Sequence, residues 1–205
     1  RRRAMIQKGG ATPGLPNEYQ QVEWIKSGSN ASQNQKIETG IVPTIASKFE
    51  LTAGFYSQTN VNFFGVRGAA SGTDNAFCIA SYSSAHKYGF MRWGYGTQTI
   101  AFDTNIHTFI LSPTEASVDG VMYALTAPKS QTTTKAIWLF QFRDNSNHAL
   151  EARISRFRFW ENGELIADYI PCYRKSDEVI GMYDLVSESF KTNGGSGDFT
   201  KGADV

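Results

Sequence analysis

An aromatic-rich run at residues 89–96, GFMRWGYG, carries the side chains best suited to bind a ligand. Flat aromatic rings cover the apolar faces of sugars, and a few fixed polar groups orient the bound molecule. Because side chains alternate along a strand, Trp93 and Tyr95 share one face of this run, and Phe90 and Arg92 share the other. The pattern predicts a carbohydrate-binding surface around Trp93 and Tyr95.

Polar companions for these rings are expected from Arg92 and from two other segments. Arg67 ends a strand-like run, and Asn75 lies in a loop. We therefore predict a ligand-binding set of Trp93, Tyr95, Arg67, Asn75 and Arg92. The alternative is that Trp93 fills the core and Tyr95 caps it, because aromatic residues are common in two-sheet cores.

Patterns typical of catalysis are missing from the sequence. A retaining glycosidase needs two carboxyl groups about 5–5.5 Å apart. The nearest candidates are Glu115 and Asp119, of which Asp119 falls in a predicted turn. The G-x-S-x-G motif of a serine nucleophile does not occur. No acidic residue lies at a catalytic spacing from His86, His107 or His148, so these histidines are predicted to be polar surface residues. We expect no enzymatic activity.

Three loops carry the oxygen ligands that calcium prefers, at residues 73–75, 103–105 and 143–147. Asp and Asn in loops also serve turn geometry, so we expect no cofactor, with calcium as the one metal that the sequence accommodates. Cys78 and Cys172 are the only cysteines. Each lies in an apolar run typical of a buried thiol, so a disulfide is compatible with the sequence but not implied.

Composition narrows the partners further. The 205 residues carry a net charge of +1, with 40% hydrophobic and 19% charged residues, as in ordinary globular proteins. The basic patch at residues 1–3 is too small for a nucleic-acid site, and no run approaches the roughly 18 apolar residues of a membrane helix. We expect neither nucleic-acid binding nor membrane insertion. Residues 1–14 are predicted to be a leader or linker, and residues 15–205 one domain of a longer polypeptide.

Turns and short apolar runs predict an all-β fold. Asn162-Gly163 and Asp119-Gly120 lie between strand-like runs and are typical of type I′ hairpin turns. Residues 48–55 alternate apolar and polar side chains, as in a strand with one buried face. Further strand-like runs lie at residues 61–66, 76–82, 88–95, 99–102, 107–111, 116–118, 121–124 and 137–142. So many strands predict a two-sheet antiparallel jelly-roll sandwich, with a closed barrel as the alternative.

Other aromatic and basic residues are expected to be structural. Trp138 and Trp160 are predicted to lie in the core. Arg153, Arg156 and Arg158 form a basic strip. Only Arg156 and Arg158 are an even number of positions apart, as residues on one face of a strand are. We therefore interpret the strip as solvent-facing and as protection of a sheet edge.

Four motifs occur in the order known from one protein family. LPNEYQQVEWI at residues 15–25, followed by KIETGI at 36–41, resembles the opening LP-x-x-Y-x-x-(L/V)-E-(Y/W)-I … Y-I-(D/E)-T-G-I. NFFGVR at 62–67 resembles an FFG-x-R strand, and residues 157–172 resemble a strand pair that ends in D-(F/Y)-I-P-C. GMYDLV at 181–186 resembles a closing G-(L/M)-Y-D-x-V. Over residues 15–202 the chain resembles concanavalin A-like, laminin-G-like modules of bacterial surface and prophage tail-associated proteins.

The resemblance implies a concanavalin A-like sandwich that acts outside the cell, at a cell surface or on a virion. Lectins, adhesion modules and glucanases share this fold, so the fold alone does not select an activity. We expect a non-catalytic recognition module of a larger protein, with a glycan or a cell-surface protein as its partner and with oligomerisation through the parent protein. The alternatives are a structural domain that contacts sister subunits and a diverged glycoside hydrolase.

Overall fold

The computed structural model describes residues 14–28, 34–56, 62–68, 76–82, 87–92, 95–125, 133–144 and 148–205. Within these ranges the regular structure consists of nineteen β-strands, numbered in chain order, and contains no helix. This confirms the predicted all-β class. The boundary between leader and domain stays a prediction, because residues 1–13 lie outside the described ranges.

Eleven strands form the larger sheet. Its main path runs β11-β10-β9-β4-β15-β16-β17-β18, and β1 pairs with β16, β2 with β15, and β19 with β2. All of these pairs are antiparallel. The strands are β1 Tyr19–Gln21, β2 Ile25–Lys26, β4 Lys48–Phe55, β9 His107–Leu111, β10 Glu115–Val118, β11 Val121–Ala124, β15 Ala152–Glu161, β16 Glu164–Arg174, β17 Ile180–Asp184, β18 Ser189–Thr192 and β19 Thr200–Lys201.

Six strands form the smaller sheet, in the order β14-β13-β5-β6-β7-β8, and a separate two-stranded ladder joins β3 to β12. The one parallel pair among the described strands is β13 with β5. The strands are β3 Ile37–Glu38, β5 Asn62–Arg67, β6 Ala76–Tyr82, β7 Lys87–Arg92, β8 Tyr95–Ala101, β12 Trp138–Leu139, β13 Gln141–Arg143 and β14 His148–Ala149.

Phenylalanine rings from both sheets interlock in the core between them. Phe49 of the larger sheet lies 5.2 Å from Phe64 and 5.3 Å from Phe77 of the smaller sheet, between ring centroids, in edge-to-face geometry. Phe157 of the larger sheet also contacts Phe64, at 5.5 Å. Such pairs add to the stabilisation from burying the rings themselves. The two sheets therefore share one apolar interior, which confirms the predicted sandwich over the barrel.

Both predicted hairpin turns have the backbone geometry of type I′. Asp119 and Gly120 have φ of 50° and 80°, and Asn162 and Gly163 have φ of 50° and 81°. Positive φ at both central positions is what this turn requires. The turns fix the registers of β10 against β11 and of β15 against β16.

The basic strip on β15 differs from its prediction in two ways. The strand lies between β4 and β16, in the middle of the larger sheet rather than at an edge. A bulge between Ile154 and Arg156 shifts the register against β4. Because a bulge adds one residue, it brings Arg153 to the same outer face as Arg156 and Arg158, despite its different parity.

Candidate functional site

The predicted aromatic site lies largely outside the residues that the structure describes. Trp93 and Asn75 fall in gaps between the described ranges. Tyr95 begins β8, where its backbone pairs with that of Arg92. A role for Trp93, Tyr95 and Asn75 in ligand binding stays a prediction.

Arg92 is placed differently from what a surface site requires. Its side chain points between the sheets with Tyr88 and Phe90, and the residue is only 1% exposed. One guanidinium nitrogen, Nη1, donates to the carbonyl of Ser112 at 2.9 Å. Burial lowers the pKa of this guanidinium. This position corrects the expectation that the Arg92 side chain is available to a ligand at the surface.

Arg67 is half-buried and already holds an anionic partner. Its Nη2 donates to Oδ2 of Asp144 at 2.9 Å, and its guanidinium lies 5.6 Å from the centroid of the Phe142 ring. Arg67 therefore ties β5 to the end of β13. A ligand that used Arg67 would have to share it with Asp144.

A groove of about 590 Å³ opens where the start of β17 faces the segment between β18 and β19. We call it the rim groove. Val179, Ile180 and Phe199 supply apolar surface, and the remaining lining residues are polar or glycine. The lining residues are Asp177, Glu178, Val179, Ile180, Thr192, Asn193, Gly195, Gly197, Asp198 and Phe199.

One side chain, Asn193, fixes the glycine-rich wall of the rim groove. Its Oδ1 accepts hydrogen bonds from the backbone N–H of Lys36 at 3.0 Å and of Gly195 at 2.9 Å. Its Nδ2 donates to the carbonyl of Gly197 at 2.6 Å. Gly195 is required here, because an added Cβ would lie 1.6 Å from the carbonyl oxygen of Asn34. The wall is thus held against the segment at residues 34–36, which precedes β3.

The three carboxylates of the rim groove differ in whether they have a hydrogen-bond partner. Asp177 accepts two hydrogen bonds from Arg174, at 3.0 and 2.6 Å, and this partner lowers the pKa of its carboxyl. Glu178 and Asp198 are exposed, and neither carboxylate has a hydrogen bond or ion pair within the described part of the chain. These two groups remain free to accept hydrogen bonds from a ligand.

The sequence prediction missed this groove because its parts are far apart in the chain. Asn193 contacts Lys36, and Gln35 Nε2 donates to the carbonyl of Asp198 at 2.5 Å. The only local signal was the glycine-rich run at residues 194–197. By itself such a run indicates a turn.

The prediction that Trp138 and Trp160 lie in the core is wrong, because both are half-buried. Lys36 Nζ lies 3.9 Å and the Arg143 guanidinium 4.2 Å from the centroid of the Trp138 ring. Lys48 Nζ lies 4.8 Å from the Trp160 ring. Cations attracted to ring faces in this way stabilise an outward-facing tryptophan. The Trp138 ring is therefore occupied by side chains of this chain.

His107 is also placed differently from its prediction as a polar surface residue. It is buried, and each ring nitrogen contacts a carboxylate: Nδ1 lies 2.6 Å from Asp119 Oδ2, and Nε2 lies 2.8 Å from Asp103 Oδ1. Burial alone lowers the pKa of His107, but the hydrogen bonds to Asp119 and Asp103 outweigh it and raise the pKa. With both nitrogens engaged, the ring cannot act as a general base unless one contact breaks.

We expect this Asp-His-Asp cluster to make stability depend on pH. Because the folded-state pKa of His107 is raised, the charged ring stabilises the fold below about pH 6.5, and this stabilisation is lost as the pH rises through the raised value. The pKa values of Asp103 and Asp119 are lowered by the same hydrogen bonds despite burial, so their contribution is lost as the pH falls below about 4. Urea unfolding should show wild type losing more stability than His107→Gln between pH 5.5 and pH 8.5.

A second variant controls for loss of packing at His107. Asp103→Asn removes one carboxylate and keeps the ring, so the decline in stability should be smaller than in wild type and should end at a lower pH. Parallel stability curves for wild type and His107→Gln would contradict the prediction.

The loops considered for calcium have other partners where they are described. Asp103 Oδ1 accepts hydrogen bonds from the Asn105 N–H at 2.7 Å as well as contacting His107, and Asp144 binds Arg67. Residues 73–75 and 145–147 lie outside the described ranges. Among the described residues, no three His, Cys, Asp or Glu side chains converge as metal ligands would.

The two cysteines are free thiols in separate apolar clusters. Cys78 packs with Phe142 and Leu150, and Cys172 packs with Ile170 and Tyr183. Burial raises the pKa of each thiol to about 12. Such thiols are almost entirely protonated at neutral pH and are poor nucleophiles.

Comparisons with protein-family models, with curated proteins and with solved structures gave no match for this chain. Over the described residues, the structure has no helix with the length and apolar character needed to cross a bilayer.

Proposed function

We propose that this chain is a non-catalytic recognition module that binds a carbohydrate in the rim groove. The observation that carries the proposal is the combination, in one groove, of apolar surface from Ile180 and Phe199 with the free carboxylates of Glu178 and Asp198. Small-ligand sites generally combine apolar walls with a few fixed polar groups. The rim groove has this character.

Charge narrows the ligand class. Carboxylates accept hydrogen bonds and repel anions, so Glu178 and Asp198 favour sugars rich in hydroxyl groups or carrying an ammonium group. The wall behind them is held by Asn193 and is therefore pre-organised, which lowers the entropic cost of binding. The ligand class proposed for this groove is accordingly a neutral or amino sugar.

The solvent exposure of the two groove carboxylates supports binding rather than hydrolysis. Glu178 and Asp198 are both exposed. A general acid in a glycosidase depends on an apolar, desolvated environment to stay protonated at neutral pH. The motif resemblance at residues 15–202 adds a setting, which is a bacterial surface or prophage tail protein that acts outside the cell.

We expect Asp198→Asn and Glu178→Gln each to weaken glycan binding by about tenfold, since each removes a charge-assisted hydrogen bond. A glycan array identifies the ligand, and isothermal titration calorimetry measures the dissociation constants. Glu164→Gln is the matched control, because Glu164 is an exposed carboxylate beside the Asn162-Gly163 turn. Its affinity should match wild type.

The same assay separates the rim groove from the aromatic surface predicted from the sequence. Loss of binding in Trp93→Ala, with wild-type binding in both groove variants, would move the site to Trp93 and Tyr95 and contradict the groove assignment. Wild-type binding in Trp93→Ala, with weak binding in the groove variants, supports it.

A specific observation favours assembly as a second candidate function. In the described residues β11 pairs with β10 alone and lies at the end of the larger sheet. Val121 and Met122 on this strand are 54% and 62% exposed. Open apolar edge strands are sites of strand addition between chains. A concentration-dependent oligomer in sedimentation velocity, disrupted by Met122→Lys, together with no hit on the glycan array, would favour assembly over glycan recognition.

A further inference from the structure

A second cluster suited to ligand binding lies on the outer face of the larger sheet, apart from the rim groove. The Arg153 guanidinium lies 5.6 Å from the centroid of the Trp24 ring and 5.7 Å from that of Tyr56. Lys26 Nζ lies 4.4 Å from the same Tyr56 ring. We call these four residues the arginine clamp. All four are half-buried.

Strand pairing positions the clamp rigidly. Arg153 lies directly opposite Lys26 of β2 and Gly54 of β4, so the three share the outer face. The neighbouring Ile154 points into the core and is only 1% exposed, which fixes the outward direction of Arg153. A guanidinium that is already held between two strands loses little conformational freedom when it binds a ligand.

The C-terminal segment holds the Trp24 ring in place. The Gly202 N–H donates to the Trp24 carbonyl at 2.9 Å. A Cβ added to Gly202 would lie 2.8 Å from Nε1 of Trp24, so the indole packs directly on this glycine backbone. The ring is therefore fixed next to Arg153 by close backbone contact.

Arg153 differs from the other two arginines of its strand in having no carboxylate partner. Arg156 donates two hydrogen bonds to Asp168, and Arg158 donates to Glu50. Within the described residues no acceptor bonds Arg153, and its Nε is buried without one.

The nearby acid does not neutralise the clamp. Glu151 pairs with Lys26 at 2.9 Å. Two cations and one anion therefore leave a net charge of +1 in this cluster, and the uncompensated charge is that of Arg153.

We infer that the arginine clamp binds the carboxylate of an acidic sugar residue in a glycan. A guanidinium matches a carboxylate with two parallel hydrogen bonds. Trp24 and Tyr56 add ring surface beside the charge, which can contact the C–H face of a pyranose. The inference does not depend on the rim groove, whose own carboxylates disfavour an acidic sugar.

The test is a titration of the full chain with trigalacturonic acid, with its neutral methyl ester as the matched ligand. Arg153→Gln should weaken binding of the acid by about tenfold, and Arg153→Lys should restore only part of the affinity, because an ammonium group lacks the planar fork. Lys48→Gln is the control, because Lys48 carries the same charge on β4 about 20 Å from Gly54, at roughly 3.3 Å per residue. Its affinity should stay within about twofold of wild type.

A spectroscopic readout follows binding on the wild-type protein itself, so the variant is needed only to assign the signal. The Nε–H signal of Arg153, assigned by its disappearance in Arg153→Gln, should shift during titration with the acid and stay in place with the ester. Equal affinity of wild type and Arg153→Gln for the acid would overturn the inference, as would equal affinity for acid and ester. A short poly-glutamate peptide that binds as tightly as the acid and with the same dependence on Arg153 would overturn the sugar assignment in favour of an acidic peptide.

Discussion

Replacing Gly65 with alanine should destabilise the fold by about 3 kcal/mol, through strain and steric overlap. Gly65 lies in β5 with φ of 110°, a conformation that side-chain-bearing residues rarely adopt. An added Cβ would lie 2.1 Å from the carbonyl oxygen of Phe77 and 2.8 Å from Cα of Cys78, both on the paired strand β6. Since these are backbone atoms, β5 and β6 would have to separate. Urea unfolding of Gly65→Ala should show this loss directly.

Gly163→Ala isolates the part of this effect that comes from the backbone conformation. Gly163 has φ of 81° in the hairpin turn, and an added Cβ would meet no atom within 4 Å. The substitution should therefore cost about 1 kcal/mol, the price of a left-handed conformation alone. Equal losses in the two variants would show that strand separation contributes nothing at Gly65 and would contradict the prediction.

Local sequence signals predicted much of the fold, because they act through local sterics and one buried face. The Asn162-Gly163 turn needs only two residues that tolerate positive φ, and the structure confirms it. On β4 the alternation of buried and half-buried residues follows the apolar pattern, since Phe49, Leu51 and Ala53 face the core. Neither feature depends on residues far away in the chain.

Parity arguments failed where the strand was irregular. A regular strand alternates strictly, so parity alone separates Arg153 from the face that Arg156 and Arg158 share. The bulge after Ile154 reverses the parity and places all three on one face. A bulge depends on the register of neighbouring strands, so this strand alone does not reveal it.

The predicted core positions of the tryptophans were wrong for a different reason. Size and apolarity predicted a core position for Trp138, but the ring lies at the surface because Lys36 and Arg143 contact it. Those cations come from segments about 100 and 5 positions away in the chain. A cation–π partner replaces part of the burial that the ring would otherwise need.

The sequence did not reveal the candidate sites either, because their residues come from distant positions in the chain. His107 is bound by Asp103, four residues before it, and by Asp119, twelve residues after it, and only the antiparallel pairing of β9 with β10 brings the second acid back. The rim groove joins residues near position 35 to residues near position 195. Spacing rules for short motifs do not detect contacts of this kind, so only the fold shows which of these residues lie together.

Loss of the Asp184 carboxylate should destabilise the protein by about 3 kcal/mol, because three donors lose one acceptor group. Asp184 ends β17 and is only 3% exposed. Its Oδ1 accepts hydrogen bonds from the N–H groups of Asp168 at 2.8 Å and Val186 at 3.1 Å, and its Oδ2 accepts one from the Ser187 hydroxyl at 2.6 Å. In Asp184→Ala the Asp168 amide is left buried without an acceptor, and the turn after β17 loses its anchor.

Graded variants separate the carboxylate's hydrogen bonds from the loss of a side chain. Asp184→Asn keeps an oxygen for both amides, and its new N–H can donate to the Ser187 hydroxyl, so it should lose about 1 kcal/mol. Asp177→Ala, which removes an exposed turn carboxylate paired only with Arg174 and the Val179 N–H, should change stability much less. Urea unfolding of the three variants should rank them in that order. If Asp184→Ala is no less stable than Asp177→Ala, this carboxylate does not hold the turn after β17.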